Sequence, residues 1–184
     1  MPRIQPLDPA TASGATREIF DTVKAKIGMV PNLYRVLGHS PAALSAYLAI
    51  NDHLSSTSLS AKVREKVALA VSERNQCQYC LSAHTAIASR MLGVPEDELM
   101  LARRGRGSDE HETAVLLTAI QIVDSRGWLE DGAINDARAA GVTDQELVEV
   151  VALVAAMTFS NYINHLAHTP IDFPVAPDLA VEVG

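Results

Sequence analysis

The 184-residue chain has few cysteines, few aromatic residues and no excess of basic residues. Its two cysteines lie three residues apart, so a disulfide between them would close too short a loop to stabilise a fold by much. The net charge of -7 argues against a surface for nucleic acid or anionic membrane. Aromatic residues make up 4% of the chain and strictly alternating β-branched runs are absent, so strands have little support. These scarcities exclude a disulfide scaffold and favour helices.

The sequence also lacks the segments that would direct it to a membrane or out of the cell. The first six residues contain no apolar signal core, and no apolar run approaches the roughly 18–20 residues of a membrane span. We therefore predict a cytoplasmic protein. In that compartment a Cys-x-x-Cys pair is typical of a catalytic or metal-binding site rather than a structural one.

Helix signals run along most of the chain and predict an all-α fold. Starts are indicated by capping residues at four places, namely Ser40-Pro41, Ser60, Ser108 and the capping box Thr143–Glu146. A further helix is predicted from about Cys77 to Leu92, ending at Gly93. The segment 67–71 is apolar on every side, which predicts a buried helix.

The organisation predicted from length is a single domain over residues 1–184. Three prolines mark residues 170–184 as an irregular C-terminal tail. The basic segment 103–107 is predicted to be a solvated loop or a salt-bridge patch against a neighbouring subunit.

A weak internal repeat appears when the sequence is shifted by 84 residues. Both copies read Glu-x11-(Cys/Asn)-x2-(Cys/Asn)-x3-His, and the second copy contains Glu149, Asn161, Asn164 and His168. We therefore predict two pseudo-equivalent helix pairs, of which only the first keeps its thiols.

The two cysteines are the most informative feature, in the order Cys77-Gln78-Tyr79-Cys80. On a helix, positions i and i+3 are neighbours roughly 5–6 Å apart, which a disulfide can bridge with modest backbone movement. A c-type haem would need histidine directly after Cys80, where the chain has Leu81. A zinc site would need a fourth ligand beyond the cysteines and His84, from Glu65, Glu73, His165 or His168. A redox dithiol fits best, because the first turn of a helix lowers a thiol pKa.

Two side chains are candidates for activating the thiols. His84 lies one turn beyond Cys80 and could accept its proton, although a semi-buried structural histidine has the same pattern. Glu65 can reach the site only if the chain turns back near residues 75–76, and Glu73 would then lie nearer to Cys77. Glu65 could instead pair at the surface with Lys62 or Lys66.

The stretch from Arg64 to His84, with its pattern Glu-x11-Cys-x2-Cys-x3-His, resembles the core of the alkylhydroperoxidase AhpD / carboxymuconolactone decarboxylase superfamily. The segments 161–165 and 169–174 resemble its peroxidase-related branch. The resemblance covers about Pro31 to Pro174. It implies an all-helical fold, a homo-oligomer that is a trimer or hexamer, and thiol-dependent reduction of hydroperoxides.

The resemblance also implies roles for individual residues. Cys80 resembles the peroxidatic cysteine and Cys77 the resolving one, while Glu65 and His84 resemble the proton relay. No metal, flavin or haem is implied, and an external dithiol would reduce the disulfide. The chain departs from the alkylhydroperoxidase pattern at Tyr79, where a second histidine is usual; the tyrosine could hydrogen-bond a bound peroxide instead.

Other functions fit the same thiol pair. The protein could reduce a disulfide of another protein, or it could sense redox state by changing its assembly without turnover. A structural zinc site is the third alternative. A set of apolar residues could line a pocket for an organic hydroperoxide, namely Leu44, Tyr47, Leu48, Phe159 and Tyr162. The same residues could instead form part of the core or of a subunit interface.

Overall fold

The computed structural model describes residues 1–179 and confirms the all-α prediction, since no strand occurs among those residues. Nine helices are described: α1 Gly14–Ile27, α2 Asn32–Leu37, α3 Pro41–Leu54, α4 Ala61–Arg74, α5 Gln78–Leu92, α6 Glu96–Arg103, α7 Glu110–Ser125, α8 Asp131–Ala139 and α9 Asp144–Ala167.

Local capping explains where most of these helices begin and end. Ser40 and Ser60 accept hydrogen bonds from the backbone N–H three residues later, as predicted for α3 and α4. Thr143 and Glu146 form the predicted capping box of α9. The cap of α7 is Asp109 rather than Ser108, whose hydroxyl instead donates to Glu112.

Helix α4 lies at the centre of the fold, in contact with α5, α6, α7 and α9. Its segment 67–71 is at most 3% exposed, which confirms the buried helix predicted from its apolar faces. A helix enclosed on all sides can carry a polar side chain only where another element supplies a partner. The neighbours of α4 therefore determine what its Lys and Glu residues contact.

Lys66 is the clearest case, because its ammonium group is buried within α4. Its Nζ lies 2.5 Å from Glu112 Oε1 on α7 and 2.8 Å from Glu98 Oε2 on α6. The Lys66 side chain is 4% exposed and that of Glu112 is 10% exposed. The two ion pairs thus join α4, α6 and α7 and leave Lys66 unavailable to Glu65.

Residues 103–107 were predicted to be solvated or to form a salt-bridge patch, and the prediction of a solvated loop is wrong for Arg103. Arg103 is the last residue of α6 and is buried. Its guanidinium donates to Glu73 Oε2 over 2.7 Å and to the carbonyl of Pro177 over 2.7 Å. A buried guanidinium requires a partner, and α4 of the same chain supplies it through Glu73. Arg103 therefore needs no partner from a neighbouring subunit.

Helix α9 is a long apolar helix of 24 residues, which begins at the predicted capping box. By length and composition alone it could cross a membrane, unlike the other helices of residues 1–179. It packs instead against α4, α7 and α5, with Val150, Leu153 and Met157 buried.

The prediction of a second helix pair is wrong, because residues 149–167 lie on the single helix α9. In the first copy the chain turns back after α4, whereas Asn161 and Asn164 continue one helix to its C-cap at His168. Glu149 accepts hydrogen bonds from Ser58 at the surface. The repeat in the sequence is therefore not a repeat of the fold.

The predicted irregular tail begins where α9 ends. Residues 170–179 contain neither helix nor strand, and Ala176 within them is buried against α5. Residues 180–184 of that tail lie outside the described residues.

Candidate active site

The turn between α4 and α5 brings the cysteines to the start of a helix. Gln76 has φ 56°, a left-handed conformation that reverses the chain, and the Cys77 N–H donates to the carbonyl of Ser72. Cys77 is the N-cap of α5 and Cys80 lies in its first turn. The predicted break before the cysteines and their place in the first turn are both confirmed.

The two sulfurs lie together inside an apolar cluster. Cys77 Sγ and Cys80 Sγ are 2.9 Å apart, and both residues are at most 2% exposed. Buried side chains surround them, namely Phe20, Leu33, Leu37, Leu44 and Tyr47. A thiolate in such surroundings needs compensating hydrogen bonds or a positive charge.

Helix α9 supplies one of those hydrogen bonds. The side-chain amide of Asn164 donates to Cys80 Sγ over 3.2 Å. Asn161, one turn earlier, bonds Asn75 and Ser72 beside the turn that holds the cysteines. The sequence repeat had singled out both asparagines but assigned them to a separate copy. Only the packing of α9 against α5 makes them part of the thiol site.

Glu65 and His84 form the contact predicted across the hairpin. Glu65 Oε2 lies 2.8 Å from His84 Nδ1, and both side chains are largely buried. Glu73, which the turn was predicted to place nearer to Cys77, pairs with Arg103 instead of His84. Burial opposes the charged form of His84, but the Glu65 carboxylate raises the pKa of His84 above its ordinary value.

These contacts separate the two thiols in acidity. The hydrogen bond from Cys77, the charge of His84 and the amides of Asn164 and Asn161 together outweigh burial and lower the pKa of Cys80 to about 6. The pKa of Cys77 is raised, because Cys77 donates to Cys80 and is itself buried. Cys80 is therefore the thiolate and Cys77 the thiol of the pair at neutral pH.

Tyr79 packs in the same apolar cluster as the two cysteines. The Leu33 N–H donates to its hydroxyl over 3.1 Å, and its ring meets that of Phe173 edge-on at 5.8 Å. Burial raises the pKa of Tyr79, and the nearby Asp172 carboxylate adds to the shift. Tyr79 anchors α5 to α2 and to the segment after α9. It also lines a surface cavity together with Cys77, and its hydrogen bond to a bound peroxide stays a prediction.

The predicted apolar pocket set does not line one cavity. Leu44 and Tyr47 are core residues, and Tyr47 meets the Phe159 ring at 5.9 Å. Leu48 lines a separate groove between α1 and α3, while Tyr162 is exposed on α9.

Among residues 1–179, no group of three His, Cys, Asp or Glu side chains is arranged to hold a metal ion.

A pH titration of the thiols tests this electrostatic arrangement. We expect one thiolate to form with a midpoint near pH 6 and the second well above pH 9, followed by absorbance at 240 nm. Glu65→Gln removes the charge that keeps His84 protonated, so the first midpoint should rise by about 1–2 units. The matched change Glu73→Gln should leave it in place. Equal midpoints in all three proteins would contradict the role of Glu65.

Comparison with known proteins supports the fold. Residues 41–125, which include the whole Glu65-to-His84 pattern, match the carboxymuconolactone decarboxylase family model. A search of curated proteins found no match.

Solved structures of the same fold cover between 75% and 93% of the chain. An uncharacterized peroxidase-related protein with an alkylhydroperoxidase AhpD core, from Ralstonia eutropha JMP134, is 24% identical with a TM-score of 0.81 over 93% of this chain and 92% of that one. The debrominase Bmp8, in complex with 2,3,4-tribromopyrrole, is 21% identical with a TM-score of 0.77 over 92% and 91%. ATU0492 of Agrobacterium tumefaciens, a protein of unknown function and candidate AhpD antioxidant defence protein, is 25% identical with a TM-score of 0.62 over 75% and 94%.

The fold is therefore an AhpD-like helical fold. Together with the match over residues 41–125, this fold supports the resemblance to the AhpD-like / carboxymuconolactone decarboxylase superfamily that the sequence pattern indicated.

Proposed function

We propose that this protein is a thiol-dependent hydroperoxide reductase with Cys80 as its attacking nucleophile. The observation that carries the proposal is the Cys80 sulfur, which Asn164, Cys77 and the Glu65–His84 pair stabilise as a thiolate inside an apolar site. A thiolate is the nucleophilic form of cysteine, and neutral pH lies above the Cys80 pKa.

The first step transfers one oxygen atom. The Cys80 thiolate attacks the terminal oxygen of ROOH, the O–O bond breaks, and the products are a Cys80 sulfenic acid and an alkoxide. The alkoxide takes a proton from His84 and leaves as an alcohol. Glu65 favours the protonated imidazole before this step and is therefore a positioning residue.

The second step closes the disulfide. The Cys77 thiol lies next to the sulfur it must attack, so it condenses with the sulfenic acid and releases water. An external dithiol then reduces the Cys77–Cys80 disulfide by two exchanges and is itself oxidised. No bound metal, flavin or haem takes part in these steps.

A single-turnover experiment tests the first step. Cys77→Ser cannot close the disulfide, so it should consume about one equivalent of hydroperoxide and hold a sulfenic acid at Cys80 that dimedone labels. Peptide mapping gives the labelled residue and an oxidation assay gives the stoichiometry. Reduction of a protein disulfide without peroxide consumption, or a change of assembly alone, would favour the disulfide-reductase or redox-sensing function. Because the fold also includes a debrominase, the substrate must be measured rather than taken from the fold.

We also propose that the protein forms a homo-oligomer, a trimer or hexamer, and acts in the cytoplasm. The exposed apolar residues of α9 recur at intervals of three or four along one face, at Val148, Val151, Ala155, Phe159, Tyr162 and Leu166. Such a stripe is typical of a helix that packs against another surface. Light scattering of the purified protein gives the stoichiometry.

A further inference from the structure

A cavity of about 340 Å³ opens beside Cys77, where α5 begins and α9 ends; we name it the Cys77 cavity. Its wall includes side chains from both helices and from the segment that follows α9: Cys77, Asn164, His165, His168, Thr169 and Ile171. Cys80 is not among the residues that line it. Both cysteines are nearly fully buried, but only Cys77 borders the cavity.

Two buried polar side chains belong to the wall of this cavity. Asn164 and Thr169 are 5% and 8% exposed, and both line the cavity. Within residues 1–179, Asn164 Oδ1 and Thr169 Oγ1 have no hydrogen-bond partner. Buried polar atoms of this kind are costly unless something bonds them. The amide N–H₂ of Asn164 is already used by Cys80, which leaves its oxygen as an acceptor.

Cys80 lies behind Cys77, in the apolar cluster around Leu44 and Tyr47. A reductant in the Cys77 cavity is therefore adjacent to Cys77 rather than to Cys80. Asn164 and Thr169, whose oxygens have no partner, belong to the same wall. These two groups bond an amide N–H or a hydroxyl placed near the incoming sulfur.

We propose that the Cys77 cavity binds the reducing thiol, and that it recognises a thiol or dithiol carrying an amide or hydroxyl group close to its sulfur. The reductant thiolate forms a bond to Cys77 Sγ, the Cys77–Cys80 bond breaks, and Cys80 leaves as a thiolate. The second thiol of a dithiol then displaces Cys77, which takes up a proton. The inference rests on the proposed function for the disulfide that is reduced.

The pKa values support this direction of attack. In thiol–disulfide exchange the more acidic thiol is the better leaving group. When Cys77 is bonded to the reductant, the charge of His84 and the amides of Asn164 and Asn161 still lower the pKa of Cys80, which makes it the one expelled. Attack on Cys80 instead would expel Cys77, whose pKa is raised. Access and leaving-group acidity thus favour the same sulfur.

The test uses the protein oxidised with diamide, so no hydroperoxide is involved. The disulfide form is mixed with N-acetylcysteamine, which has an amide two carbons from its thiol, and the reaction is quenched with acid and alkylated. Fragmentation mass spectrometry of the peptide that contains both cysteines should show the adduct on Cys77 in at least tenfold excess over Cys80. An adduct mainly on Cys80 would overturn the proposal.

A matched pair of variants tests the cavity itself. Thr169→Val keeps the side-chain shape and removes the hydroxyl, so the exchange rate with N-acetylcysteamine should fall about fivefold, the equivalent of one hydrogen bond. Thr118→Val, at a buried threonine on α7, should leave that rate unchanged. Equal rates for the two variants would overturn recognition by the cavity. Because hydroperoxide is absent, the position of the adduct and the exchange rates of the variants do not depend on whether the protein reduces hydroperoxides.

Discussion

We expect Cys80→Ser to reduce dithiol-dependent hydroperoxide consumption to the uncatalysed background, a loss on the order of 10³-fold or more. Serine occupies the same position in the first turn of α5, but its hydroxyl does not ionise at neutral pH. The contacts that stabilise a thiolate, from Asn164 and from the Glu65–His84 pair, then have no anion to act on. The measurement is the initial rate of hydroperoxide loss with dithiothreitol as reductant at pH 7.

The matched control is the same substitution three residues earlier. Cys77→Ser keeps the nucleophile and loses the partner that closes the disulfide, so it should retain a rapid first turnover and lose efficient recycling. Turnover in Cys80→Ser at the rate of the unaltered protein would remove Cys80 from the mechanism. A first turnover in Cys80→Ser but not in Cys77→Ser would reverse the roles of the two thiols.

The second large effect is on stability rather than on chemistry. Lys66→Met should lower the free energy of unfolding by about 3–5 kcal/mol, because it leaves a buried carboxylate without its counter-charge. Lys66 Nζ contacts both Glu98 and Glu112, and Glu112 is nearly enclosed. Urea unfolding followed by circular dichroism measures the change.

Two further variants isolate the electrostatic cause. In Lys66→Met/Glu112→Gln both buried charges are absent, so most of the lost stability should return. Arg74→Met breaks the half-exposed pair between Arg74 and Asp124 and should cost about 0–1 kcal/mol. If the double variant were as unstable as Lys66→Met, lost packing rather than an unpaired carboxylate would explain the effect.

The sequence was sufficient for features that depend on neighbours within about one helical turn. The capping residues predicted the starts of α3, α4 and α9, and Gly93 predicted the end of α5. The Cys-x-x-Cys spacing at a helix start predicted two adjacent thiols, which lie 2.9 Å apart. Each of these arrangements is fixed by backbone hydrogen bonds and spacings inside one segment.

The sequence was insufficient where segments far apart in the chain meet. Lys66 was considered a surface partner for Glu65, but packing encloses it against Glu112. The residues 103–107 were predicted to be solvated, whereas Arg103 is buried against Glu73. The same charged residue types suit a surface or a buried pair, so only the packing of α6 and α7 on α4 decides between them.

By itself the sequence determined an all-α chain with two thiols in the first turn of a helix and a histidine one turn further on. The tertiary structure decided which thiol is acidic and which one borders a cavity. Asn164, 84 residues from Cys80, reaches its sulfur only because α9 packs on α5. The acidity of a buried thiol depends on every charge and hydrogen bond around it, and those neighbours are assembled by packing rather than by spacing along the chain.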